Sequence, residues 1–432
     1  MNKENLTAYE VVTEENLTDI HSTGWLLRHK KTGARVMLIE NDDENKVFNI
    51  AFRTPPKDST GVAHTGAQCT LRFKGISIKG SFVELVKGSL NTFLNAMTYP
   101  DKTCYPVASC NDKDFQNLMH VYLDAVFYPN IYKREEIFRQ EGWNYHLEQK
   151  EGPLKYNGVV YNEMKGAFSS PDEVLEREIM NHLFPDTTYG CESGGDPKNI
   201  PDLTYENFLN FHRTYYHPSN SYIYLYGNMD MEEKLAFLDE HYLSHFDYLD
   251  VDSVIQEQKA FGACRDVTLE YPVAENEGEE DNTYLSYNMV VGNAADSQMA
   301  MAFEVLDYAL LSAPGAPLKQ ALLDVKAGKD VYGSYDDGIL QPYFTVIAKG
   351  SNPDRKEEFV SVIRQVLGDI VKNGIDKKAV EAGINYFEFR YREADFSSYP
   401  KGLMYSLDIL GDWLYEKGNP FAQVQQLTVL KT

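Results

Sequence analysis

From Val251 to Gly262 the hydrophobic periodicity of this chain stops, and on either side of that gap the same succession of apolar patterns recurs. A strand-like run, a long helical pattern, a further strand and a further helix appear in each half, in that order. Such a repeat predicts two related domains rather than one continuous core. The length agrees, since 432 residues exceed what a single hydrophobic core usually supports. The expected organisation is a first domain over 1–250, a linker over 251–263, and a second domain over 264–432 whose completeness the sequence leaves open. The fold class this implies is α+β, each domain a mixed, mostly antiparallel sheet packed with helices.

The local patterns behind this reading are specific. Trp25–Arg28 and Ala34–Ile39 flank Lys30-Lys31-Thr32-Gly33, a hairpin signal with glycine at the turn. Phe48, Ile50 and Phe52 alternate as a half-buried strand should. Phe115, Leu118, Met119, Tyr122, Leu123 and Val126 carry helical period behind the capping candidates Asn111 and Asp112. Ser221 to Tyr226 reads as a strand closed by Gly227. Beyond the linker, Thr283–Val291 and Tyr343–Ala348 read as strands. Met299, Met301, Phe303, Leu306, Leu310 and Leu311 fit a mostly buried helix. Phe359, Val362, Ile363, Val366, Leu367, Ile370 and Val371 mark an amphipathic helix opened by Asn352-Pro353 and closed by Gly374.

Composition removes several classes of function. The net charge of −24 and the lack of any basic cluster with interleaved aromatics argue against nucleic acid as a partner. No run approaches the roughly eighteen apolar residues of a membrane span, so no membrane is expected either. Met1-Asn2-Lys3-Glu4-Asn5 has neither an apolar core nor an Arg-rich amphipathic pattern, which points to a cytoplasmic location. Five cysteines, Cys69, Cys104, Cys110, Cys191 and Cys264, are an odd number without a paired framework and fit reduced thiols. The acidic balance suits either ordinary solubility or the attraction of basic peptides; the first reading needs fewer assumptions.

Chemistry concentrates in two stretches. Gly61-Val62-Ala63-His64 leads into Thr65-Gly66-Ala67-Gln68, and Gly158-Val159-Val160-Tyr161-Asn162-Glu163-Met164-Lys165-Gly166 lies about a hundred residues on. Together with Phe82–Gly88 and Asn95–Pro100, these stretches resemble the insulinase-type zinc metallopeptidases of the M16 family, on their presequence-protease branch. The resemblance runs from about Tyr9 to Phe421. In that family His64 would open an H-x-x-E-H motif. Its two histidines, four residues apart, lie on one helix face and reach one metal, with the glutamate beside the metal-bound water as general base. The resemblance makes His64 the first zinc ligand, Gln68 the position of the second, Glu163 the third, and Ala67 the general-base position. Family chains are roughly twice this long, so the resemblance implies an N-terminal half and, as partners, unfolded peptides and a C-terminal half of the same family. It also implies ATP-independent peptide hydrolysis by the parent enzyme.

The motif itself is broken. Ala67 cannot take a proton, and a positioned acid-base group contributes a factor of about 10² to 10⁴. Gln68 offers a neutral amide, a poor zinc ligand. Zinc is therefore expected to bind weakly or not at all, and the chain as written to be inactive. With permitted codons, Thr65 to Ser81 read one nucleotide later spell L-E-H-S-V-L-C-G-S-R-E-Y-P-L-K-D-P, which resembles the family's own text. A frame-shifted segment with sharp edges at His64 and Phe82 is one account; a natural non-catalytic relative is a second, and a pseudogene product or truncated fragment with no function is a third. Gly66, Gly75 and Gly80 and several β-branched residues predict a shortened or distorted helix there.

Other features carry structural expectations. Asn95, Ala96 and Met97 resemble the edge strand on which relatives lay a substrate backbone by β-augmentation. Tyr189–Pro197 is glycine-rich without the Gly-Lys-Ser/Thr ending of a phosphate loop, and reads as a turn near the site. His212 and His217 read as structural. No Ser-His-Asp or Cys-His arrangement is recognisable.

Overall fold

The structure, a computed structural model, describes residues 1–71, 88–274, 276, 278–394 and 396–431. They gather into two compact units. The first comprises Met1–Glu173, Phe184–Gln256 and Phe396–Leu407; the second comprises Val174–Leu183, Glu257–Asp395 and Asp408–Thr432. Each unit is assembled from separated stretches of chain.

In the first unit β1 (Tyr9–Leu17), β2 (Ser22–His29) and β3 (Arg35–Glu40) form an antiparallel meander. Gly33 closes the β2–β3 turn at φ +73°, a conformation that favours glycine. The chain continues into β4 (Lys46–Arg53), which does not pair with β3. Strand β10 (Ser221–Gly227) enters between them, parallel to β3 and antiparallel to β4. Beyond β4 lies β7 (Lys102–Ser109), and two short strands, β5 (Asn91–Leu94) and β6 (Met97–Thr98), pair one after the other along its outer side.

The central position of β4 corrects the half-buried expectation for Phe48, Ile50 and Phe52. Val47, Asn49 and Ala51 on the opposite face are equally inaccessible, because chain packs against both sides of the sheet. Helix α1 (Val62–Thr70) follows β4. Helix α2 (Asp112–Phe127) starts where the sequence signals it, with the Asn111 side chain accepting from the Asp114 N–H. Its buried stripe of Phe115, Leu118, Met119, Tyr122, Leu123 and Val126 packs into one core with Phe48, Ile50 and Phe52. Fully burying each such side chain contributes about 1.5–3 kcal/mol before entropy is counted. Three more helices, α3 (Glu135–Glu141), α4 (Val159–Ala167) and α5 (Tyr205–Tyr215), lie around α1. With α1 they enclose a second, smaller core of Val62, Cys69, Ile137, Phe138, Trp143, Val160, Phe208 and Leu209. Helix α6 (Met231–His241) adds Leu235 and Leu238 to the main core. A short hairpin of β8 (Asn144–His146) and β9 (Lys155–Asn157) stands apart from the main sheet.

The second unit holds an antiparallel sheet of β11 (Thr283–Val290), β12 (Asp330–Asp336) and β13 (Tyr343–Ser351) in the order β11-β13-β12. Helix α7 (Ser297–Asp307) is shorter than its apolar pattern suggests. It passes into a π-helical turn, Tyr308–Ser312, which buries Leu310 and Leu311, whereas Met299 is exposed. Helix α8 (Pro317–Asp324) precedes β12, and α9 (Lys356–Asn373) follows β13, ending at Gly374 with φ +86°. Phe359 and Ile363 anchor α9 to the sheet, but Val371, at 88% exposure, lies off the buried stripe to which its spacing assigns it. Among the described residues no helix is long and apolar enough to cross a membrane.

Candidate functional site

Helix α1 is positioned from its first residue. Gly61 sits at φ +70°, and a side chain there would meet chain from far along the sequence: a Cβ would lie 2.5 Å from the Gly194 carbonyl oxygen. The Tyr189–Pro197 loop is thereby a brace. The Asp196 N–H donates to the Ser59 carbonyl at 2.8 Å and the Glu192 N–H to Ser59 Oγ at 3.0 Å. The Tyr189 hydroxyl donates to Asp101 Oδ2 at 2.7 Å. At the other end of α1, Thr70 Oγ1 stands 2.9 Å from the Tyr105 hydroxyl, itself 2.9 Å from that of Tyr216. Burial pushes the Tyr216 phenol up to about 12, so the chain of hydroxyls stays neutral.

His64 and Gln68, one turn apart, share a face of α1. His64 Nε2 lies 3.2 Å from Glu163 Oε2 on α4, and its Nδ1 lies 3.3 Å from Thr98 Oγ1 on β6. The hydrogen bond with His64 holds the Glu163 carboxyl below the usual range, against a smaller opposing effect of desolvation. His64 and Glu163, the two motif residues that survive, thus come together from separate helices. Gln68 is half-buried beside them. Ala67, at the general-base position, is 1% exposed and offers only a methyl group.

The helix is regular from Val62 to Thr70, with Val62, Ala63, Cys69 and Thr70 packed inward. The portion of the expected distortion that concerns 72–81 lies outside the described residues. Among the described residues of the segment, Thr65 is a visible misfit: it is wholly buried, and its Oγ1 has no hydrogen-bond partner.

The donor set does not fit a zinc centre. Such a site needs three strong protein ligands and one open position. Here an imidazole and a carboxylate are joined by a neutral amide, and among the described residues no three His, Cys, Asp or Glu side chains are grouped to hold a metal ion.

The other sequence candidates fall as follows. Met97 belongs to β6, while Asn95 and Ala96 form the step between β5 and β6, so the run is two short strands with a break rather than one edge strand. The Asn95 N–H still donates to the Pro106 carbonyl at 3.2 Å, which keeps the step against β7. His212 is structural. Its Nδ1 is 2.7 Å from the Tyr132 hydroxyl and its Nε2 3.1 Å from the Val126 carbonyl, and burial pushes its pKa down to about 3. His217 caps a turn by accepting from the Ser219 N–H. Sequence alone does not single out Thr98. Its place directly after Asn95–Met97 is the available signal.

A family model described as the peptidase M16 inactive domain matches residues 202–387. Protein HypA of Clostridium perfringens (strain 13 / Type A) is 52% identical over 420 residues, which are 97% of this chain and 43% of HypA. Presequence protease 1, chloroplastic/mitochondrial, of Arabidopsis thaliana is 42% identical over 431 residues, 98% of this chain and 40% of that protein. Crystalline pitrilysin shares the fold at a TM-score of 0.67 with 14% identity, over 98% of this chain and 44% of pitrilysin. The chain therefore spans less than half the length of these relatives. It belongs to the M16 peptidase family, as a half-molecule related to the presequence proteases.

Proposed function

We propose that this chain is the site-bearing, N-terminal half of a presequence-protease-like zinc peptidase, and that as written it binds peptide without hydrolysing it. The observation that carries the reading is the convergence of His64 and Glu163 at 3.2 Å, with Gln68 one helical turn on and Ala67 between them in sequence. That is the frame of a metallopeptidase centre lacking one imidazole and its base. Zinc, where a relative's complete ligand set holds it, polarises the scissile carbonyl and activates water. In this chain His64 and Glu163 would be its remaining strong ligands.

The partners proposed are unfolded peptides, laid along the β5–β6 edge beside His64, and a C-terminal half of the same family. A cytoplasmic location is part of the same proposal. The buried, unpartnered Thr65 hydroxyl supports the frame-shift account, because an aliphatic residue would suit that place better. The regular helix from Val62 to Thr70 favours the second reading, a natural non-catalytic subunit.

The test replaces Thr65–Ser81 with the shifted-frame text, including the missing isoleucine. Zinc binding is measured by calorimetry, and hydrolysis of a fluorogenic peptide is measured with and without a family C-terminal half. Tight zinc binding in the repaired chain alone, and hydrolysis only with both halves, is the expected result. Equal zinc binding by the repaired and unrepaired chains would refute the assignment of His64, Gln68 and Glu163. Re-reading the coding nucleotides between His64 and Phe82 separates the two accounts of the loss.

A further inference from the structure

Away from the candidate site, the first unit carries a second cavity. Arg139 of α3, Trp143, Tyr145 of β8, Pro201, Leu203 and Tyr205 line a pocket of about 350 Å³, a size within the range of ligand sites. It shares no residue with the site around His64. Its rings are fixed before any ligand arrives. Tyr145 lies opposite Tyr156 across the β8–β9 hairpin, with ring centroids 5.6 Å apart, and both stand edge-on to Trp143, at 5.4 and 5.8 Å. Trp143 is 8% exposed and anchored, its Nε1–H donating to the Leu203 carbonyl at 2.9 Å. A hairpin of such short strands has little stability of its own, so these ring contacts hold it. They also present Tyr145, 64% exposed, in a fixed orientation.

The hydrogen-bonding groups around the pocket are unequally occupied. Acceptors are engaged: the Leu203 carbonyl by Trp143, the Arg139 carbonyl by Asn144 Nδ2 at 2.9 Å, and Thr204 Oγ1 by the Asn207 N–H at 3.1 Å. Donors are left over. Arg139 gives Nε and Nη2 to Glu135 Oε1, at 3.0 and 2.8 Å, and its other N–H groups have no partner among the described residues. Nor does the Tyr145 hydroxyl.

Charge narrows the ligand further. Burial first, and then the Glu135 and Glu136 carboxylates, push the Tyr205 phenol up, so an anion would meet negative potential there. A cation would meet Arg139, whose guanidinium already lies over the Phe138 and Trp143 rings at 5.2 and 5.6 Å. The pocket suits an uncharged ligand with free acceptors, few donors and apolar rings to lay on aromatic faces. A run of prolines has that chemistry. Each residue offers a carbonyl and lacks an N–H, and the extended helix it forms loses little entropy on docking.

We propose that the pocket between α3, the β8–β9 hairpin and α5 is a docking site for a proline-rich segment of a partner protein, bound as a polyproline II helix. The proline rings lie against Tyr145 and Tyr205, and the segment's carbonyls accept from Arg139 and Tyr145. An ordinary peptide would bring N–H groups that compete for acceptors already engaged, and a donor buried unpaired weakens binding.

Calorimetric titration of the full chain with an acetylated, amidated decaproline tests this. Saturable binding is expected. A glycine-serine decapeptide, with the same number of carbonyls and its N–H groups restored, should bind at least about tenfold more weakly. Tyr145→Phe and Arg139→Met keep the bulk of each side chain and remove donors. Each should weaken decaproline at least about threefold, and the two together at least about tenfold. His146→Ala, on the opposite face of the hairpin, should leave the affinity unchanged. The comparison of the two peptides on the unaltered chain stands whether or not a variant folds. Absence of saturable binding, equal affinity for the two peptides, or a folded double variant that binds like the parent would overturn the proposal. So would loss of binding on adding a family C-terminal half, which would make the pocket a contact between halves.

Discussion

Nε2 of His64 and Oε2 of Glu163 stand 3.2 Å apart although 99 positions of chain separate them. If these are two arms of a metal site, the third is at Gln68 on the same face of α1. Gln68→His should then raise zinc affinity at least about tenfold in a calorimetric titration, and adding Glu163→Ala should cancel the gain. An affinity unmoved by Gln68→His would contradict the ligand positions.

Helix α1 should also be improvable away from the ligands. Thr65→Val keeps the shape of a buried side chain and removes a hydroxyl that has no partner, a change expected to stabilise by about 1 kcal/mol. At Gly66 a Cβ would meet only the Tyr216 hydroxyl, at an ordinary 3.7 Å, so Gly66→Ala should contribute about 1 kcal/mol more. Urea denaturation reads both. A loss of stability in either variant would show that the segment is better fitted to its place than its residues suggest.

The reverse holds one turn earlier. Gly61→Ala forces a Cβ into the left-handed region and against the Gly194 carbonyl. A cost of roughly 2–4 kcal/mol is expected, from the strained backbone and the displaced loop together. A variant as stable as the parent would mean the Tyr189–Pro197 brace is not fixed at this point.

In the second unit, burial pushes the Asp412 carboxyl up to about 7, and one of its oxygens has no hydrogen-bond partner. The unfolded chain sheds that proton near pH 4, so between about 4 and 7 the folded state holds a proton the unfolded state has lost. Stability from this group therefore falls as pH rises through that window, and the penalty is complete above it. Asp412→Asn should accordingly stabilise by on the order of 1–2 kcal/mol at pH 8 and by clearly less at pH 5. A gain independent of pH would point to packing rather than charge.

Local signals in this sequence translate well where the physics is local. Asn111 caps α2 and Gly33 turns the β2–β3 hairpin because each acts within a few residues of itself. They fail where distant chain decides. Asn49 donates to Ser406 Oγ, 357 positions on, and no alternation of Phe48, Ile50 and Phe52 could announce a second covered face. The entry of β10 between β3 and β4 is likewise a long-range parallel pairing without a local signature. At the candidate site, His64 and Glu163 are legible only through family resemblance. Thr98 and the hydroxyl chain of Thr70, Tyr105 and Tyr216 become visible only once α1 is folded against the sheet.

The brace on Gly61 has a further consequence. It works through backbone groups of Ser59, Gly194 and Asp196, not through the side chains that α1 turns toward Glu163. Address and cargo are thus separately encoded. The scaffold delivers whatever stands at 64 and 68, both half-buried, to the same spot, and folding exerts little selection on which residues those are. Chemistry at such a place can decay silently: a chain that has lost its reaction would still express, melt and crystallise like one that kept it, and only an assay aimed at the lost step would tell them apart.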